Sequence, residues 1–218
     1  MMAVDHDDVP VGAGRSERKR QAVLAAATET FLKAGYLGAN MDEIAAMSGV
    51  SKQTVYKNFG SKEALFIEVV TSMTGAADLR VHTAPAEPES AAALERFLFD
   101  YAHRQLSVVM TPRLMQLRRL VIGEVSRFPD LARVLYERGP QRAMQVLAGI
   151  FGRLDRRALL ACPEPEVAAT NFNWLVMAEP VNRAMLMGDG ELPDDAQLRV
   201  VAKEAVRVFL AAYGRQGS

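Results

Sequence analysis

The sequence predicts an all-α fold of about nine helices, on three observations. Methionine and alanine are frequent, and long strand-like alternation is absent. Apolar stripes at helical spacing fill the C-terminal part. Between them and the N-terminus, Asn40 to Lys62 (N-M-D-E-I-A-A-M-S-G-V-S-K-Q-T-V-Y-K-N-F-G-S-K) reads as two short helices joined by a tight turn, with a third helix starting at once. Half of the 218 residues are hydrophobic, which is ample for a buried core and argues against overall disorder.

In chain order, residues 1–13 read as a disordered tail. A helix follows from about Ser16 to Ala34, with Arg20, Leu24, Ala27 and Phe31 on one face and Gly35 at its end. Arg15, Arg18, Lys19 and Arg20 cluster at its start, where they either reach a phosphate or stay solvated. Asn40 is a good N-cap, and Glu43 stands at the spacing of a capping box. Met41, Ile44 and Ala45 give the next helix its apolar face. Ser48-Gly49 stops it, since glycine takes the left-handed conformation at no steric cost. Ser51 caps a helix whose inward residues are Val55 and Phe59. Gly60-Ser61 ends that helix and caps a fourth, carrying Leu65, Phe66, Val69 and Val70.

Thr83 to Ser90 (T-A-P-A-E-P-E-S) is the clearest loop. Beyond it a helix runs to about Val109 with Leu94, Phe97, Leu98 and Tyr101. Pro112 opens one reaching Phe128, Pro129-Asp130 a short one, and Pro140 another with Met144, Leu147 and Phe151. Glu164 to about Met187 carries Val167, Phe172, Leu175 and Val176. Pro193-Asp194 opens the last, with Leu198, Val201, Ala205, Val208 and Phe209 on one stripe.

The most specific spacing is A-x3-G-x5-V, formed by Ala45, Gly49 and Val55. Two steeply crossing helices need a small side chain at closest approach. The turn needs a residue tolerant of positive φ, and the second helix needs an apolar anchor on the first. Those are the mechanical requirements of a DNA-binding helix-turn-helix. At about 100° per residue, Gln53 and Lys57 lie opposite Val55, flanked by Thr54 and Tyr56, with no carboxylate among them. Lys52 and Lys62 occupy first positions of helices, where a cation opposes the dipole; a bound phosphate would account for both. The competing reading is an αα-hairpin with a solvated polar face.

Phe31, Gly35-Tyr36 and then I-A-A-x-S-G-V-S-x-x-T-V-Y-x-x-F-x-S-K-E-A-L-F closely resemble the N-terminal domain of the tetracycline-repressor (TetR) family, over roughly residues 15–70. The run L-R-R-L-V-I-G-E-V-S-R-F-P-D-L-A-R-V-L-Y-E-R-G-P resembles, less diagnostically, a C-terminal domain of a broad AefR- and AcrR-like subgroup. The resemblance implies an all-helical homodimer that binds double-stranded operator DNA and usually releases it on binding a small ligand. By that likeness Thr54, Tyr56 and Lys62 hold phosphates, and Lys52, Gln53 and Lys57 lie nearest the bases. Asn40, at the start of the motif, is counted with these DNA-facing candidates. Asn58 departs from the family, which often has histidine there.

Formal net charge is zero, yet residues 14–62 hold eight Lys/Arg against four Asp/Glu. A local positive field on a neutral chain suits a DNA-binding module joined to a part that does not bind DNA. The expected division is 14–74 for the helix-turn-helix domain with its connecting helix, and 75–218 for ligand binding and dimerisation. The single cysteine, Cys162, excludes a disulfide framework and a cysteine-rich zinc site. No apolar run approaches a membrane span, and the acidic N-terminus lacks a signal-peptide core, so a soluble, cytoplasmic protein is expected. No cofactor or metal is expected. An enzyme is not either: the three histidines stand apart, and G-x-S-x-G, P-loop and H-E-x-x-H motifs are missing.

Tyr101, Met115, Met144, Phe151, Phe172 and Met177 are candidates to line an apolar cavity for an apolar or aromatic effector; plain core is the competing reading. Glu124, close to its helix's apolar stripe, either pairs with Arg104 or Arg118 or anchors a ligand. Asn171 and Asn173 either orient a ligand or cap hydrogen bonds. Phe172, Val176, Leu198, Val201, Ala205 and Phe209 are candidates for a four-helix dimer interface. The leading expectation is a homodimeric repressor released by a ligand. The alternative is a ligand-independent DNA-binding or partner-binding protein whose C-terminal part is only a dimerisation scaffold. A cavity with convergent polar groups would favour the first, and a fully packed core the second.

Overall fold

The structure, a computed structural model, describes residues 11–83 and 87–215. Ten α-helical segments carry the described residues: α1 Val11–Gly38, α2 Met41–Ser48, α3 Lys52–Phe59, α4 Lys62–His82, α5 Ala91–Val109, α6 Pro112–Gly123, α7 Pro129–Tyr136, α8 Arg142–Arg156, α9 Pro165–Met187 and α10 Asp195–Tyr213. The chain packs as two compact units, divided inside α4 at Val69 and Val70. No helix among the described residues is long and apolar enough to cross a membrane.

In the first unit α1 begins earlier than its sequence pattern suggested. Residues 11–13, expected in a tail, have helical backbone; the rest of that tail lies outside the described residues. Gly35 (φ 72°, ψ 175°) breaks the helix as expected, but the chain recovers a further turn to Gly38. That break seats Tyr36 on Phe31 and Phe66, the three rings lying 4.9–6.1 Å apart. Val23, Ala27, Phe31, Ile44, Val55, Leu65 and Phe66 are fully buried and make this unit's core.

The second unit is built around α5, α8, α9 and α10, with α9 against α8 and α10, and α10 against α5. Phe151, Phe172 and Phe209 meet edge-on or tilted at its centre, with ring centroids 4.9–5.7 Å apart, and Tyr101 lies 6.3 Å from Phe172. Proline at the first turn opens α6, α7 and α9, where a missing N–H costs nothing. A full capping box between Asp194 and Gln197 starts α10.

In the second unit two helix boundaries differ from expectation. Helix α6 stops at Gly123 instead of reaching Phe128; Glu124 caps it, and a turn leads to Pro129. Pro140 does not open a helix. It sits inside a π-helical turn, Glu137–Gln141, that joins α7 to α8 without a break. Widening the helix by one residue per turn is a way to pass a proline that cannot donate to the ladder.

Candidate nucleic-acid interface and ligand cavity

The turn of the N-terminal motif follows from Gly49, which adopts φ 66°, ψ 23°, and donates its N–H toward Ala45 and Ala46. Ala45 and Val55 are buried, as the crossing of α2 on α3 requires. Asn40 does cap α2, but its side chain accepts from Asp42 N at 2.8 Å; the reciprocal bond expected from Glu43 is not part of the cap. Ser51 caps α3 by accepting from Thr54 N at 3.2 Å, and Ser61 caps α4 by accepting from Ala64 N at 3.0 Å. On the outward side of α3, Gln53, Tyr56 and Lys57 are exposed and Thr54 is half-buried, its hydroxyl 2.8 Å from that of Ser51.

The two N-terminal lysines have partners that sequence spacing did not reveal. Lys52 Nζ lies 2.7 Å from Asp42 Oδ1, and that carboxylate raises its pKa. Lys62 Nζ donates to the Leu37 carbonyl at 3.1 Å and lies 4.9 Å from the Tyr36 ring centre. Their unfavourable helix positions therefore have local compensation without a phosphate. Arg20 is neither free nor simply solvated: it pairs with Glu68 at 2.8 Å and lies over the Phe59 ring.

In the second unit a partly open cavity of about 90 Å³ lies between the C-terminal part of α4, α5, α6, the π-helical turn and α9. Val81, Val109, Leu114, Leu117, Leu135 and Met177 give it apolar walls, with Trp174 beside them. Polar groups converge on it: Asp78, His82, Gln105, Arg118, Arg138 and Asn173. Gln105 Nε2 donates to Asn173 Oδ1 at 2.9 Å, leaving the buried Gln105 Oε1 without a partner. Tyr101 OH lies 3.2 Å from His82 Nδ1, and His82 Nε2 lies 3.3 Å from Asp78 Oδ1 but out of line for a hydrogen bond, so that oxygen also lacks one. Burial lowers the His82 pKa, Asp78 opposes the shift, and Arg142 and Arg104 add to it. Burial likewise raises the Tyr101 pKa.

Of the residues expected to line a cavity, Met177 does so. Tyr101 touches it only through His82, while Phe151 and Phe172 belong to the packed aromatic centre. Met115 is buried and Met144 half-buried, and neither lines the cavity. Glu124 pairs with Arg127 at 3.4 Å rather than with Arg104 or Arg118; it caps the end of α6 with its side chain largely covered. Asn173 lines the cavity, whereas Asn171 donates to Tyr213 OH at 2.7 Å. Sequence reasoning missed Gln105, His82 and Arg118, since polar residues on an amphipathic helix look solvated until the neighbouring helices are placed.

The expected pairing stripe also faces differently. Phe172, Val176, Leu198, Ala205 and Phe209 are buried within the single chain and Val201 is half-buried, so this stripe covers its own core. The exposed apolar residues of α9 and α10 include Val167, Trp174, Leu175, Leu186, Met187 and Val200. A shallow groove between these helices is lined by Asn171, Trp174, Leu175, Val208, Phe209, Ala212 and Tyr213. Cys162 is buried, donates to the Phe151 carbonyl, and has its pKa pushed up to about 11 by burial and then Asp155. That is an inert core thiol. Among the described residues no group of three His, Cys, Asp or Glu is placed to hold a metal ion.

Comparison with known proteins agrees with this geometry. The family model of bacterial regulatory proteins of the tetR family matches residues 23–69, and that of the AefR-like transcriptional repressor C-terminal domain matches residues 96–215. A solved TetR-family transcriptional regulator from Mesorhizobium loti MAFF303099 is 37% identical, with a TM-score of 0.82 over 92% of this chain and 99% of that one. The flavonoid-responsive regulator FrrA is 30% identical, with a TM-score of 0.74 over 92% of this chain and 100% of its own. The HTH-type transcriptional repressor NicS of Pseudomonas putida is 31% identical over 113 residues, 49% of this chain and 53% of NicS. The chain thus matches about half the length of that relative.

Proposed function

The chain belongs to the TetR family of bacterial regulatory proteins, and from that premise we propose a homodimeric repressor released from operator DNA by a small molecule. Residues 14–74 act as the DNA-binding part and 75–218 as the effector-binding and dimerisation part. The observation that carries the reading is the exposed row Gln53, Tyr56 and Lys57 opposite buried Val55 and Phe59 on a helix fixed by the Gly49 turn. Gln53 and Lys57 face the bases. Thr54, Tyr56 and Lys62 take phosphates, with Asn40 at the edge, and Lys52 exchanges Asp42 for DNA on binding.

A single short helix reads too few bases to compete with the rest of a genome, so two are joined by pairing. The exposed α9–α10 groove around Trp174, Leu175, Val208 and Ala212 is the surface we assign to that pairing, replacing the buried stripe. Release needs an effector that binds better when the two α3 helices stand off the spacing of one duplex turn, about 34–36 Å. The open cavity with convergent polar groups supports an effector site over a bare scaffold. FrrA is named for its response to flavonoids, which supports an apolar or aromatic effector here. Trp174 lines both the cavity and the groove, so a ligand against its ring acts directly on the proposed pairing face.

The test is fluorescence anisotropy of a duplex selected by the protein from random DNA, titrated with a panel of aromatic compounds. The proposal expects tight, salt-sensitive binding that at least one compound reverses. Binding that no cavity-occupying compound alters would leave the scaffold reading.

A further inference from the structure

The effector class can be read from what the cavity leaves unsatisfied; this step rests on the effector-pocket reading above. Its ionisable lining groups are Arg118, Arg138, Asp78 and His82. Neither guanidinium has a hydrogen-bond or ion-pair partner among the described residues. The single carboxylate is flanked by His82 at 3.3 Å and Arg142 at 3.8 Å. With His82 neutral, the lining is therefore net positive, inside walls that are otherwise largely apolar.

Arg118 is the decisive group. Burial lowers its pKa and no carboxylate raises it back, yet a guanidinium stays charged. A partly buried charge without a counter-ion is costly, and a planar fork of donors matches a carboxylate in two parallel hydrogen bonds. The second unsatisfied group is of opposite kind. Gln105 Oε1, on a side chain only 4% exposed, is an acceptor with no donor, and Asp78 Oδ1 is another. A ligand that filled the cavity without offering a donor would leave Gln105 Oε1 unpaired and Asp78 Oδ1 with only its longer ion pairs to His82 and Arg142.

We infer that the cavity takes a small organic acid: a carboxylate for Arg118, a single ring or short apolar body, and a hydroxyl or amine donor for Gln105 and Asp78. Arg118, Leu135 and Pro140 also line a second hollow with Val121, Ile122 and Tyr136. An apolar substituent beside the carboxylate has room there.

The experiment is calorimetric titration of the full chain with 4-hydroxybenzoate, its methyl ester and unsubstituted benzoate. The acid is expected to bind about tenfold or more tightly than the ester, and more tightly than benzoate, because each lost partner strands a buried polar group. Arg118→Gln is expected to abolish the acid–ester difference, and Arg118→Lys to retain part of it. Should Arg118→Gln fail to fold by circular dichroism, Arg138→Gln gives a second, weaker loss on the same charge argument. An ester that binds as well as the acid, and that displaces DNA, overturns the organic-acid assignment and leaves the effector pocket standing. A cavity that takes none of the three compounds overturns the organic-acid assignment, while the effector-pocket reading is decided by the DNA-release titration.

Discussion

Lys52 Nζ lies 2.7 Å from Asp42 Oδ1, tying the first turn of α3 to the first turn of α2. The pair reconciles two helix starts. Asp42 suits the positive end of the α2 dipole, while Lys52 alone would oppose that of α3. Both groups are exposed, so the pair matters less for stability than for what it offers DNA. Asp42→Asn removes the partner that Lys52 gives up on binding, and is expected to strengthen DNA binding at a fixed salt concentration. Unchanged affinity in titrations at several salt concentrations would mean that Lys52 does not exchange Asp42 for DNA.

Base reading and phosphate holding separate by mutation. Gln53→Ala or Lys57→Ala is expected to relax preference at one or two positions of each half-site, seen by repeating selection from random duplexes. Tyr56→Phe is expected to weaken all sequences alike. A motif unchanged in Gln53→Ala and Lys57→Ala would turn the α3 face away from the bases.

Backbone conformation predicts two changes of opposite sign. Gly49 sits at φ 66° with open space where a Cβ would go, so Gly49→Ala carries strain alone and should cost about 1 kcal/mol. Ala158, exposed at φ 58° after α8, already bears that strain, and Ala158→Gly should recover about 1 kcal/mol. Urea unfolding of both variants checks this; equal signs would refute it.

The pairing surface is tested against the core. Phe209→Ala should destabilise the chain by about 3–5 kcal/mol, because it empties a site in the aromatic centre. Leu175→Arg, on an exposed position, should leave helix content intact and yield monomers by sedimentation. A Leu175→Arg protein that stays dimeric at micromolar concentration would move the interface off this groove.

His82 gives a pH dependence. Its folded pKa lies below the ordinary 6.5, set by burial and by Arg142 and Arg104 against Asp78, with Tyr101 at its Nδ1. The unfolded chain therefore binds the proton more readily. The His82 contribution is complete above about pH 6.5 and is lost as pH falls from there through the folded pKa. His82→Gln should flatten the decline in melting temperature between pH 7 and 5. A parallel decline in both proteins would show that His82 titrates as it does when unfolded.

The first unit was legible because its information is local. Asn40, Gly49, Ser51 and Gly60 are caps and turns set by neighbours a few residues away. The helices of the second unit were legible too, except where α6 stopped early at Gly123 and where Pro140 passed through a π-helical turn. Facing was not. Phe209 and Ala205 form a fine apolar stripe, but only the placement of α5 and α9 reveals that it covers the chain's own core. For the same reason the sequence offers Arg118 only as a partner for Glu124, and does not single out Gln105, until α4 and α9 place both at the cavity.

The most direct test of a paired helix-turn-helix regulator is hydroxyl-radical footprinting of the selected duplex, with the number of bound chains counted by sedimentation. The expected result is two chains, or a multiple of two, protecting half-sites related by two-fold symmetry and centred one or more duplex turns apart. A single chain protecting one asymmetric site, with undiminished affinity, would contradict the account.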